Sequence, residues 1–151
     1  MNPKNKILIL FSNYGPYHIA RLEAVSKSLK PDSWNVYGLE LSRKEEEYPW
    51  EIDLSKNNVS IVSLVRDTAL EKFPIIELIR LLNEKLNDLD PDFVAIAGYF
   101  RPTMLFALLW CLINKKKTIL FSESTEIDNT RIWWKEYIKS TILRFYNAAL
   151  V

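Results

Sequence analysis

Hydrophobic and polar positions along this chain switch between two periods, and the switching lays out an ordered series of strands and helices. The apolar run at 7–11, Ile-Leu-Ile-Leu-Phe, suits a buried strand and breaks at Ser12-Asn13-Tyr14-Gly15-Pro16. Helical spacing takes over at 17–29. There Ile19, Leu22, Val25, Ser26 and Leu29 recur on one side, with Arg21, Glu23, Lys27 and Lys30 turned outward. Lys30-Pro31-Asp32 stops that helix. A short second strand is predicted at 34–41, a long charged loop over 42–58, and a third strand at 59–64. The amphipathic pattern at 73–86 predicts a helix with Ile75, Ile76, Ile79, Leu82 and Leu86 on its buried side. A fourth strand follows at 93–97, ending at Gly98, and Pro102 opens a helix that runs to Asn114. After Lys115-Lys116-Lys117 come a fifth strand at 118–121, a polar loop over 122–129 and a long helix over 130–146. Residues 148–151 read as a sixth strand that has only begun.

Strands alternating with helices through short connections predict an α/β fold: a doubly wound, mainly parallel, Rossmann-like sheet of about six strands with helices on both faces. The 151 residues suit a single domain with a real core. A pattern that runs into an unfinished strand predicts the N-terminal half of something longer.

Composition removes several functional classes. Twenty Lys and Arg against 19 Asp and Glu leave a net charge of +1, so no general attraction to nucleic acid is expected. One cysteine, Cys111, and one histidine, His18, cannot build a Cys/His metal centre, and the lone thiol suits a reducing compartment. The N-terminus has no signal-peptide pattern, and the apolar stretch at 104–113 is far shorter than a bilayer span. A soluble cytoplasmic protein without a resident metal or cofactor is expected.

In an open sheet of this kind ligands sit outside the carboxyl ends of the strands. The loops at 13–18, 98–101 and 122–128 would converge there. His18 offers a general base, or merely a histidine packed at a helix start. Asn13, Tyr14 and Gly15 shape the first loop. Gly15 would let backbone amides approach a phosphate, although turn geometry explains it equally and no G-x-G-x-x-G fingerprint is present. Tyr99 and Arg101 follow the fourth strand; the guanidinium would clamp a phosphate or carboxylate, or form a surface salt bridge. Ser122, Glu123, Glu126 and Asp128 would bind sugar hydroxyls, with helix capping as the alternative for Asp128. The 131–146 segment mixes Arg131, Lys135, Lys139 and Arg144 with Trp133, Trp134, Tyr137, Phe145 and Tyr146. Such a helix suits a membrane surface, or simply packs on the sheet through Ile138, Ile142 and Phe145.

Two segments, ILILFSNYGPYHIARL at the start and SESTEIDNTRIWWKEYIKSTILRFYNAALV at the end, resemble the N-terminal domain of bacterial GT-B glycosyltransferases, in particular family 4 or group 1. The resemblance implies an acceptor-binding half of a two-domain enzyme, inactive alone, with the nucleotide-sugar donor held mainly by a C-terminal domain. It implies a base histidine in the first loop, where His18 stands as base or acceptor contact, and a saccharide or lipid-linked sugar as acceptor; the basic and aromatic residues of 131–146 add the expectation of peripheral contact with the inner membrane face. The chain departs from many retaining members in having Tyr14-Gly15-Pro16 for a glycine pair, and Ser122-Glu123 for a histidine. The stereochemical outcome is therefore left open. A non-catalytic Rossmann-like module that binds a partner or a membrane surface is the alternative, and a nucleotide-sugar epimerase half shares the fold.

Overall fold

The computed structural model describes residues 4–46, 59–99, 101–121, 137 and 140–150. The elements, in chain order, are β1 (Asn5–Phe11), α1 (Pro16–Ser28), β2 (Trp34–Lys44), β3 (Ser60–Ala69), a single 3-10 turn (Leu70–Lys72), α2 (Ile75–Leu89), β4 (Phe93–Ala97), α3 (Pro102–Ile113), β5 (Lys117–Phe121) and β6 (Ala148–Leu150). The strands form one six-stranded sheet in the order β3-β2-β1-β4-β5-β6. Every neighbouring pair is parallel. This is the predicted Rossmann-like α/β fold.

Burial on both faces explains why β1 reads as an unbroken apolar run. Leu8, Ile9 and Leu10 are consecutive and all buried, so neither face of the strand meets water. Leu8 and Leu10 join Leu39, Leu41, Val94 and Ile96 in a core completed by Leu78, Leu82 and Leu86 of α2 and Met104, Ala107, Leu108 and Cys111 of α3. On the other face Ile9, Phe11 and Ala95 pack with Tyr14 and with Ile19 and Leu22 of α1. Two layers of helix thus enclose the sheet, and β1 sits at its centre between β2 and β4.

The structure departs from the sequence pattern in β2, β3, α2 and the last helix. The predicted loop from Ser42 is strand as far as Lys44, because Ser42 pairs with Val65 and Lys44 with Ala69 across a register shift. Accordingly β3 extends to Ala69 rather than ending at Leu64. The remainder of that loop, 47–58, lies outside the described residues. In α2 the buried stripe is Leu78, Leu82 and Leu86, while Ile75 and Ile76 are 44% and 81% exposed. Ile76 precedes Leu78 by two residues, a rotation of about 200° that puts it on the opposite side of the helix. Of the predicted last helix, residues 137 and 140–143 are helical, residues 144–145 form a turn that ends it short of 146, and 130–136 and 138–139 lie outside the described residues.

Gly38 in β2 marks a close approach that positions the functional edge. A Cβ added there would lie 2.7 Å from Leu22 Cδ2, 3.0 Å from Ile61 Cγ1 and 3.0 Å from Tyr14 Cζ. The Tyr14 ring has nowhere to go: it is fully buried, and its hydroxyl donates to the Ile9 carbonyl at 2.8 Å. Gly38→Ala is therefore expected to destabilise the fold by about 1–3 kcal/mol, the usual range for overpacking. A urea midpoint unchanged from the parent chain would contradict this packing.

Candidate functional site

The strand order reverses direction between β1 and β4, since β1 leads outward to β2 and β3 whereas β4 leads to β5 and β6. Such a switch point parts the loops at the carboxyl edge and opens a crevice there. Among the described residues, the loops at this edge beside β1 are the β1–α1 turn and the β4–α3 connection.

The β1–α1 turn is held from beneath by the end of β2. Ser42 donates its backbone N–H to the Ser12 carbonyl at 3.1 Å. The Asn13 side-chain amide donates to the carbonyls of Ser42 (3.1 Å) and Arg43 (2.9 Å). Tyr14 donates its backbone N–H to Glu40 Oε2 at 2.7 Å. The other carboxylate oxygen accepts from Ser63 Oγ at 2.5 Å and from Arg43 Nη1 at 3.1 Å, while Arg43 Nη2 donates to the Tyr14 carbonyl at 3.0 Å. Glu40 is fully buried, so among the described residues its charge is answered by these groups rather than by water. Burial pushes its carboxyl above the ordinary range, against the opposing pull of Ser63, the Tyr14 amide and Arg43. Burial also lifts the Tyr14 phenol well above its usual value, with Glu40 adding to the shift, so the hydroxyl stays a donor.

On this platform α1 begins. Gly15 is its N-cap, with an ordinary extended backbone (φ −75°, ψ 173°), and Pro16 follows in the first turn. His18 lies one residue before buried Ile19, and its half-buried ring stacks on Phe11, the last residue of β1. The ring centroids are 3.9 Å apart and the planes differ by 21°. Phe11 is itself held edge-on by Tyr14, with centroids 5.2 Å apart. The imidazole is thus seated over the carboxyl end of the central strand. One turn further, Arg21 donates to the Tyr17 hydroxyl at 2.7 Å and lies 4.1 Å over that ring.

Across β1, the β4–α3 connection starts at Gly98, whose φ of +78° is a conformation that L side chains rarely adopt. Tyr99 is buried at once, and Arg101 caps α3 through its carbonyl, which accepts from Met104 and Leu105 N–H. The Arg101 guanidinium reaches back over β1 to Glu45, with Nη2 2.5 Å from Oε1. Glu45 directly follows β2 in the chain.

Of the residues predicted from sequence, Asn13, Tyr14, Gly15 and His18 form one continuous wall. Tyr99 and Arg101 belong to the neighbouring connection on the same edge. Asn13 and Tyr14 are 5% and 0% exposed, so their side chains build the wall from behind. Ser122, Glu123 and Asp128 lie outside the described residues. No group of three metal-ligating side chains occurs among the described residues. Sequence reading missed Glu40, Arg43, Glu45 and Ser63. The one available signal concerned Glu40, a lone carboxylate between Leu39 and Leu41 in an otherwise apolar stretch of strand.

No protein-family model matches the chain, and no curated protein matches it. Among solved structures, it is similar to a UDP-N-acetylglucosamine 2-epimerase, with a TM-score of 0.63 and 14% identity over 99% of this chain and 42% of that one. A putative UDP-N-acetylglucosamine 2-epimerase from Listeria monocytogenes gives 0.59 and 14%, over 98% of this chain and 38% of that one. MurG from Acinetobacter baumannii gives 0.55 and 14%, over 97% of this chain and 40% of that one. The chain spans about two fifths of the length of these structures, and what it shares with them is the fold.

Proposed function

We propose that this chain is the acceptor-side half of a nucleotide-sugar enzyme of the GT-B type, a glycosyltransferase of family 4 or group 1 character, inactive without its donor-binding half. The observation that carries the reading is the seating of the only histidine over the carboxyl end of β1, at the switch point of a sheet that nucleotide-sugar epimerases and MurG match along almost its whole length. His18 takes the proton from an acceptor hydroxyl as the sugar is transferred, a role that needs a group titrating near neutrality. Asn13, Tyr14 and Gly15 fix the loop beside it, and Arg101 holds an anionic group of donor or acceptor. Ser122, Glu123 and Asp128 bind sugar hydroxyls. The second domain supplies most of the contacts to the nucleotide-sugar donor and closes the crevice around the reacting atoms.

The acceptor is a saccharide or a lipid-linked sugar. The 131–146 segment adds contact with the inner membrane face; within it Tyr137, Arg144 and Phe145 are all exposed. No helix among the described residues is long and apolar enough to cross a membrane.

A second reading is favoured by a specific observation: two of the three similar structures named above are described as epimerases. One assay separates the readings. The whole gene product that contains this chain is incubated with UDP- and GDP-sugars, with and without saccharide acceptors. Acceptor-dependent release of nucleoside diphosphate supports transfer, whereas a nucleotide sugar of unchanged mass but altered chromatographic mobility supports epimerisation. Neither product from any donor would overturn both.

A further inference from the structure

We propose that Glu45 occupies the anion site of Arg101, and that a phosphate-bearing ligand takes the guanidinium by displacing it. The proposal rests on the reading of the carboxyl edge as the ligand crevice and adds the identity of the group bound there.

An ordinary surface ion pair keeps both ends in water. Here the Glu45 side chain is 6% exposed and that of Arg101 is 43% exposed. The carboxylate is thus tucked under a guanidinium that a solute can still reach. The pair joins the end of β2 to the start of α3, which flank β1 on opposite sides, so it lies across the mouth of the crevice. The next residue fixes the carboxylate's position from the other direction. Glu46 accepts from Lys72 Nζ at 2.5 Å, and its backbone N–H donates to Glu71 Oε2 at 3.2 Å, both on the 3-10 turn after β3. The segment after β2 is therefore pinned between β3 and α3, with Glu45 delivered to Arg101 and Glu46 to Lys72.

A carboxylate and a phosphate ask the same thing of a guanidinium: two oxygens facing its planar fork. The phosphate carries the greater charge and can bind from the exposed side. Its net affinity is reduced by the cost of breaking the existing pair and turning Glu45 toward water. Neutralising Glu45 should remove most of that competition, whereas neutralising Glu46 makes the same change in net charge one residue away without touching Arg101.

The test uses inorganic pyrophosphate as the probe, titrated into the chain and its Glu45→Gln, Glu46→Gln and Arg101→Ala variants at low and moderate salt, with circular dichroism confirming folding. Glu45→Gln is expected to bind roughly twofold to fivefold more tightly than the parent chain, the scale of an ion pair with one end in water. Glu46→Gln should match the parent, and Arg101→Ala should bind no pyrophosphate. Unchanged affinity in Glu45→Gln, an equal gain in Glu46→Gln, or retained binding in Arg101→Ala would overturn the proposal. Should Glu45→Gln fail to fold, the nitrogen-15 resonance of Arg101 Nε in the parent chain decides. A saturable shift with pyrophosphate supports exchange, and an unmoved resonance overturns it. The titration involves no sugar chemistry, so a full-length product without nucleotide-sugar activity would end the functional reading and leave this one standing.

Discussion

Glu40→Ala is expected to lower folding stability by about 3–5 kcal/mol, because it strips the counter-charge from a half-buried arginine and leaves buried donors unanswered. Three donors lose their acceptor together: the Tyr14 backbone N–H, Ser63 Oγ and Arg43 Nη1. The Arg43 side chain is only 17% exposed, so its charge cannot simply turn to water. Urea denaturation should show the loss as a drop of roughly 2 M in the midpoint, given ordinary slopes of about 1–3 kcal/mol per molar. Glu40→Gln, which keeps the volume and one acceptor oxygen, should lose less. A Glu40→Ala chain within about 1 kcal/mol of the parent would mean that the β1–α1 turn is held by packing alone, outside the range measured for broken buried pairs.

The same residue gives stability an unusual dependence on pH. A carboxyl raised above its ordinary value of 4.5 binds its proton more tightly in the folded than in the unfolded chain. Between the two values the folded state therefore holds more protons, and the contribution of Glu40 to stability falls as pH rises through that window. Its contribution is complete below 4.5 and lost above the folded value. Glu77 and exposed Asp90 act in the opposite sense at lower pH, since hydrogen bonds from Arg80 and Lys116 hold their carboxyls below the ordinary range. Subtracting the Glu40→Gln profile from that of the parent cancels those groups. The difference should decline from pH 4.5 toward neutrality; a flat difference would remove the raised carboxyl from the account.

What could be read from the sequence follows how local each signal was. β1 and β4 are short apolar runs buried on both faces, and β5 is a shorter one buried at alternate positions. The turn at Ser12–Gly15 is legible for the same reason, as is the placing of His18 just after it. The end of β2 was not legible, because Ser42-Arg43-Lys44 is polar by composition. It is strand only because β3 pairs with it and because the first turn needs the Ser42 and Arg43 carbonyls as acceptors for Asn13. Arg101 could be picked out as a charge after a buried strand. Its partner could not, since Glu45 stands 56 positions away in a run of three glutamates with nothing local to distinguish it. Glu40 was hidden by the reverse fault: one polar residue in an apolar strand looks like noise until the loop amide above it is located. The turn that carries the candidate residues was readable; the ionic supports behind and across it were tertiary.

His18→Ala should lower kcat of the whole gene product by roughly 10²- to 10⁴-fold if the imidazole is the general base. The affinity for the nucleotide-sugar donor should change little, because the proposed donor contacts belong mainly to the other domain. The effect is therefore expected in kcat, and in kcat/KM for the acceptor, with donor KM nearly constant. The low-pH limb of the rate profile should vanish with it, since that limb reports protonation of the base. A purely structural part for His18 predicts a different pattern. The ring is stacked at 3.9 Å on Phe11, so losing it would loosen α1 from β1 and lower stability without removing a titration. Phe11→Leu separates the two: it withdraws the support but keeps the imidazole, and should lower kcat while the low-pH limb survives. A His18→Ala enzyme that keeps more than about a tenth of its kcat and the full pH profile would move the histidine from base to packing residue, since even a modest general base contributes about a hundredfold.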